Sequence, residues 1–208
     1  MRYVAPKPAP WGWQTHVLKK GRDWLNEGNG RNRSAVRPAS FWLAYRNQLG
    51  EAFDYICAYT AVYVPNGQAD HFIPWDAVKG TPRAELAYQW SNIRYCDGWV
   101  NQSKGKDAFP DPFVVQDDWF ELHLPSLELR ATGTHPPHQD AAIKNLLKRV
   151  ARDERVMKTR RRYFEQYREG IRSLELVDRE APILGMALRA NPKYLTPDDR
   201  ARLHSKAP

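Results

Sequence analysis

Hydrophobic and polar positions follow two periods along this chain, and the switches between them predict its elements. Residues 13–26 are spaced as a helix that stops at the Gly/Asn-rich break NEGNGRNRS. Pro38 suits a first helical turn, and PASFWLAYRNQLG keeps helical spacing until Gly50. The run YICAYTAVYV over 55–64 is rich in aromatic and β-branched residues and predicts a strand; PNG at 65–67 predicts a tight turn, and QADHFIPWD the returning strand of a hairpin. A loop with Gly80 and Pro82 leads into AYQWSNIRYCDGWVNQSKGK, where Ser91 could cap a short helix. Pro110 and Pro112 mark a break, and WFELHLPSLELRATG predicts two short strands. From Asp140 the period is helical again, with Ile143, Leu146, Leu147 and Val150 on one face; a second basic helical stretch, KTRRRYFEQYREG, follows. The tail after Pro182 predicts one or two short helices and a frayed end. No internal repeat is present.

This order predicts an α+β protein with three parts: an N-terminal arm and helices over 1–49, a core over 50–112, and a strand pair with basic helices over 113–208. The Pro-rich residues 1–13 read as an extended arm, with Trp11 and Trp13 as docking residues.

Composition narrows the classes. A hydrophobic content of 42% in 208 residues is enough for a packed core. No run approaches the ~18 consecutive apolar residues of a membrane-spanning helix. The start MRYVAPKPAPWGW has no apolar signal core, and two cysteines do not make a disulfide framework, so a cytoplasmic setting is expected. The net charge of +8 favours a polyanionic partner, nucleic acid first. Over 140–168, ten Lys/Arg stand against four Asp/Glu, which concentrates the excess in one segment. There Arg160, Arg161 and Arg162 interleave with Tyr163, Phe164 and Tyr167, a mixture able to grip backbone phosphates or stack on bases; an acidic protein partner would be served equally well.

Candidate chemistry lies between Asp70 and Lys106. Hydrolysis of a phosphodiester needs a hard cation held by oxygens and a base for water. Asp70 offers a carboxylate oxygen and Asn101 an amide oxygen, and His71 is the residue type whose ordinary pKa of about 6.5 suits a general base. Adjacent strand residues face opposite ways, so such a site must form where the strand ends, near Pro74.

The motifs CAYT, ADHFIPW, WSNIRY and VNQSKGK, in this order, resemble the HNH endonucleases, whose active site is a ββα-metal fold. The resemblance covers roughly 55–112. It implies His71 as general base, Asn92 as the residue bracing the loop, and Asp70 and Asn101 as ligands of a divalent metal, Mg²⁺ or alternatively Mn²⁺. It also places Lys104 and Lys106 near phosphate, with the C-terminal arginines as further nucleic-acid contacts. KGKDAFPDPF and the later basic helices look like the subfamily that includes nuclease subunits of bacterial anti-phage systems, which implies DNA as substrate and a regulatory partner such as an ATPase subunit. A catalytically inactive nucleic-acid-binding or scaffold subunit on the same fold is the alternative.

One departure from that pattern is visible. Many members carry two Cys-x-x-Cys pairs for structural zinc, whose positions here would be Cys57, Thr60, Asp97 and Val100. Three of the four are not cysteine and Cys96 is out of register, so no four-thiolate zinc site is expected. Cys57 and Cys96 then read as small buried hydrophobes, and His123, His135 and His138 as structural or solvated residues.

Overall fold

The computed structural model describes residues 1–30 and 37–205, with backbone alone for 203–205; residues 31–34 of the break NEGNGRNRS and the last three residues lie outside the described residues. The fold is mixed α and β, mostly helical, with two small antiparallel strand pairs.

Strand β1 (Gln68–His71) pairs antiparallel with β2 (Ile93–Cys96), placing Asp70 opposite Arg94 and His71 opposite Ile93. Gly67 sets the entry to β1. Its N–H donates to the Tyr95 hydroxyl at 2.8 Å, and a Cβ there would lie 2.3 Å from the Tyr95 ring. Asp97 ends β2 and caps the next helix, its carboxylate accepting from Trp99 N–H at 3.1 Å. That helix (Gly98–Lys104) packs back onto β1, so two strands and a helix form one unit.

The partner of β1 differs from the sequence expectation. Residues 55–64 form no strand. Ile56 and Tyr63 make a single bridge around a tight turn, closed by Cys57 N–H to Val62 O and Ala61 N–H to Cys57 O, both 2.9 Å. Residues 56–62 are buried without alternation, and a continuous apolar run does not distinguish a buried strand from a buried turn. Ser91, expected to cap a helix, sits inside a 3₁₀ turn (Trp90–Asn92) leading directly into β2.

The N-terminal helix runs as a π-helical stretch (Gln14–Lys19) continued by α1 (Lys20–Asn26); a 3₁₀ turn (Phe41–Tyr45) leads into α2 (Arg46–Ala52). Trp13 is not a docking residue. It is buried, its indole N–H donates to Tyr88 O at 3.1 Å, and its ring packs edge-on against Tyr45 and Trp90. Trp11, at 93% exposure, is the one of the pair left on the surface. The extended arm is tied to the core through Val4 N–H to Pro112 O and the Trp90 indole to Lys7 O.

Strands β3 (Phe120–His123) and β4 (Glu128–Ala131) form the expected second hairpin. Beyond it, the helix Asp140–Leu146 passes through a π-helical turn (Leu147–Ala151) before Asp153 caps the helix Glu154–Arg168; the helices Leu174–Glu180, Pro182–Ala190 and Pro197–Ser205 complete the chain. The apolar faces of all but the last of these helices share one core with the 56–62 turn, Val100 and Phe109. A second core joins Trp13, Val17, Tyr45 and Leu49 to Ile93 and Tyr95. The β1–β2–helix unit contributes to both, which makes its strand ends rigid. No helix among the described residues is long and apolar enough to cross a membrane.

Candidate active site

Where β1 ends, Asp70 and His71 diverge as strand alternation requires. Asp70 turns inward and is buried. Its Oδ2 accepts from the Tyr59 hydroxyl at 2.5 Å, and its Oδ1 from the Lys104 ammonium at 3.0 Å. Burial, and then the Asp70 charge, push the Tyr59 phenol well above its ordinary pKa, so it stays a hydrogen-bond donor.

His71 is half-buried. Its Nε2 lies 2.9 Å from the Ala87 carbonyl oxygen, and the Trp42 indole packs edge-on at 4.7 Å between ring centres. A carbonyl only accepts, so Nε2 carries the hydrogen and the neutral ring presents its lone pair at Nδ1. Burial lowers the imidazole pKa below its usual value, against the opposing pull of the Ala87 hydrogen bond and Asp70, so the ring is neutral near pH 7.

Asn92 holds the segment after the strand. Its Oδ1 accepts from Ile73 N–H at 2.8 Å, while Nδ2 donates to Ile73 O at 3.1 Å and Leu86 O at 3.0 Å. Asn92 O also accepts from Phe72 N–H at 2.8 Å. These bonds fix the segment that follows His71 and, through Leu86, the turn that presents Ala87. Asn101, one turn before the end of its helix, donates Nδ2 to Ala69 O at 3.4 Å. Its Oδ1 takes no hydrogen bond from the described residues.

One cavity of about 590 Å³ is lined by Asp70, His71 and Asn101, with Trp42 and Trp75 as aromatic walls. Lys106 stands on its rim, and Asp76 bridges Lys106 at 2.9 Å and Lys79 at 2.6 Å; those two hydrogen bonds hold the Asp76 carboxyl below its usual range. Three of the residues expected to do chemistry thus line one cavity, and the fourth, Asn92, holds the segment that follows His71.

Two expected phosphate contacts are overturned. Lys104 is wholly buried; besides Asp70, its ammonium donates to His71 O at 2.9 Å and Phe72 O at 3.3 Å, which leaves no donor facing the cavity. Arg160 is also wholly buried, donating to Leu127 O at 3.2 Å and Thr60 O at 3.1 Å. Both are drawn inward because carbonyl groups of buried turns need donors. Arg161 and Arg162 are exposed on the helix Glu154–Arg168, in a surface hollow that shares no lining residue with the cavity.

Three participants have no single-residue signal in the sequence. Tyr59, Trp42 and the Ala87 carbonyl reach the site from segments that read as strand, helix and loop. Arg94 is a fourth. Opposite Asp70 in the ladder, it forms a two-pronged pair with Asp111 at 2.7 and 2.9 Å, stacks 3.6 Å from the Phe113 ring centre and so ties the DPF segment under the strands.

Asp70 and Asn101, both with side-chain oxygens, line the same cavity; each Asp70 oxygen has two lone-pair directions and one hydrogen-bond donor on it. Among the described residues no cluster of three His, Cys, Asp or Glu side chains stands ready for a metal. Cys57 and Cys96 are free, buried thiols, and burial pushes the Cys96 thiol well above its ordinary pKa. Compared with family models, curated proteins and solved structures, the chain has no match.

Proposed function

We propose that this protein is a metal-dependent endonuclease of the HNH, ββα-metal class, acting on DNA. The observation that carries the reading is the His71–Ala87 bond, which leaves Nδ1 unprotonated on an imidazole that lines the same cavity as Asp70 and Asn101. His71 takes a proton from water at Nδ1, and the water oxygen attacks phosphorus as the bond to the leaving oxygen breaks. Asp70 and Asn101 would hold the Mg²⁺, or Mn²⁺ in its place, that neutralises charge on the phosphate and leaving oxygen. Asn92 keeps the imidazole in place. Lys106 at the rim and the exposed Arg161 and Arg162 contribute phosphate contacts without sequence information. The similarity of the later segments to anti-phage nuclease subunits extends the proposal to an effector working with a regulatory ATPase partner, for which exposed Trp11 is the candidate contact.

Plasmid DNA with Mg²⁺ or Mn²⁺ tests this. Wild type should nick it, and His71→Ala should do so more slowly by about 100-fold or more. Equal cleavage by both proteins, or none by folded wild type, rejects the mechanism. The second outcome favours a non-catalytic nucleic-acid-binding module, a reading supported by the Lys104 charge already placed on Asp70.

A further inference from the structure

The Lys104–Asp70 pair sets the charge of the cavity. Arg37, Lys79 and Lys106 line it against Asp70 and Asp76, and Lys104 lies directly behind Asp70. Four cations therefore meet two carboxylates. The affinity of an oxygen site for a hard cation follows the negative charge of its ligands, and here that charge is more than cancelled. A phosphodiester, in contrast, is attracted to this wall and brings negative oxygens with it.

Resting on the nuclease reading, we propose that Lys104 is a positioning residue that makes cation binding conditional on nucleic acid. Its ammonium fixes the Asp70 carboxylate and the two carbonyls that follow, His71 and Phe72, while preventing Asp70 from capturing a divalent ion alone. Cation and substrate then enter as a pair. By linkage, the cation strengthens nucleic-acid binding by the same factor that nucleic acid strengthens cation binding.

The experiment is a Mn²⁺ titration followed by electron paramagnetic resonance, with and without a DNA oligonucleotide, on His71→Ala protein to prevent turnover. Affinity should rise about tenfold or more with the oligonucleotide. On the same background Lys104→Met, which keeps the length of the stem and removes the charge, should tighten Mn²⁺ binding in the oligonucleotide-free arm and shrink the coupling. Equal affinity in both arms of the Lys104 protein overturns the proposal, whether or not the Lys104→Met variant folds, and plasmid cleavage by wild type shows that the nuclease reading survives that result. Binding in neither arm overturns the proposal as well, and if wild type also fails to cleave, the nuclease reading falls with it.

Discussion

Asn92 and Ile73 exchange two hydrogen bonds, the carboxamide of one taking the place of a backbone partner for the other: Oδ1 accepts from Ile73 N–H and Nδ2 donates to Ile73 O. The strand ladder ends at His71–Ile93 and one backbone bond, Phe72 N–H to Asn92 O, follows it, so this side chain continues the pairing one residue further. Asn92→Ala takes the partner from the half-buried Ile73 N–H and carbonyl, and leaves Leu86 O with only the Gln89 N–H. Urea denaturation should show a loss of about 2–4 kcal/mol. Asn92→Asp keeps the acceptor but turns a buried carboxylate toward the Ile73 and Leu86 carbonyl oxygens, so its loss should be at least as large. A variant as stable as wild type would mean that solvent or a rearranged loop replaces the brace.

Tyr59 and Lys104 hold the two oxygens of Asp70 from opposite sides. Tyr59→Phe removes one donor with little change in volume. It should lower stability by about 1.5–3 kcal/mol, since the lost bond is to a charged group. Cleavage should fall while nucleic-acid affinity stays unchanged, because the phenol lies behind the carboxylate. Fluorescence anisotropy beside a cleavage assay checks this, and a parallel fall in both would argue for general loosening of the cleft.

The order Asp70-His71, Asn92, Asn101 is legible in the chain, and the ββ-helix topology brings Asp70, His71 and Asn101 to one cavity, with Asn92 bonded to the segment that follows His71. Burial of Lys104 and Arg160 is not legible. A long cation on a helix carries the same letter whether its head is in water or under a carbonyl, and only the packing of a distant turn decides which. The 55–64 run misleads for a related reason. Its aromatic and branched residues satisfy a strand pattern, yet Ala61 adopts φ +51° and the chain turns back on itself within the core.

His71 sets the pH response. Its folded pKa lies below the usual imidazole value, so the folded state binds fewer protons than the unfolded chain as pH falls below that value. The associated stability is present above the unfolded pKa of about 6.5 and is lost as pH falls through the lower folded pKa. The neutral base persists over the same range. Single-turnover cleavage should be flat between about pH 7 and 8 and decline only on the acid side of the ordinary imidazole titration. A kinetic midpoint above that of free imidazole, or an NMR signature of hydrogen on Nδ1 in the neutral ring, would contradict the assigned base.

Arg160 and its neighbours separate structure from binding within three consecutive arginines. The Arg160 guanidinium joins Thr60 O in the 56–62 turn to Leu127 O in the β3–β4 turn; its Nε has no hydrogen-bond partner among the described residues, and burial brings its pKa down to about 10. Arg160→Met fills similar space but strands two buried carbonyls. It should lower stability by about 2–4 kcal/mol while folded protein keeps wild-type DNA affinity. The pair Arg161→Ala and Arg162→Ala, both at exposed positions, should do the reverse: unchanged denaturation midpoint, weaker DNA binding, and a salt dependence of affinity shallower by up to about two counterions. Urea titrations and anisotropy at several salt concentrations distinguish the outcomes. Weaker binding by folded Arg160→Met, with none from the exposed pair, would place the nucleic-acid surface elsewhere, because a buried guanidinium affects DNA only through the turns it joins.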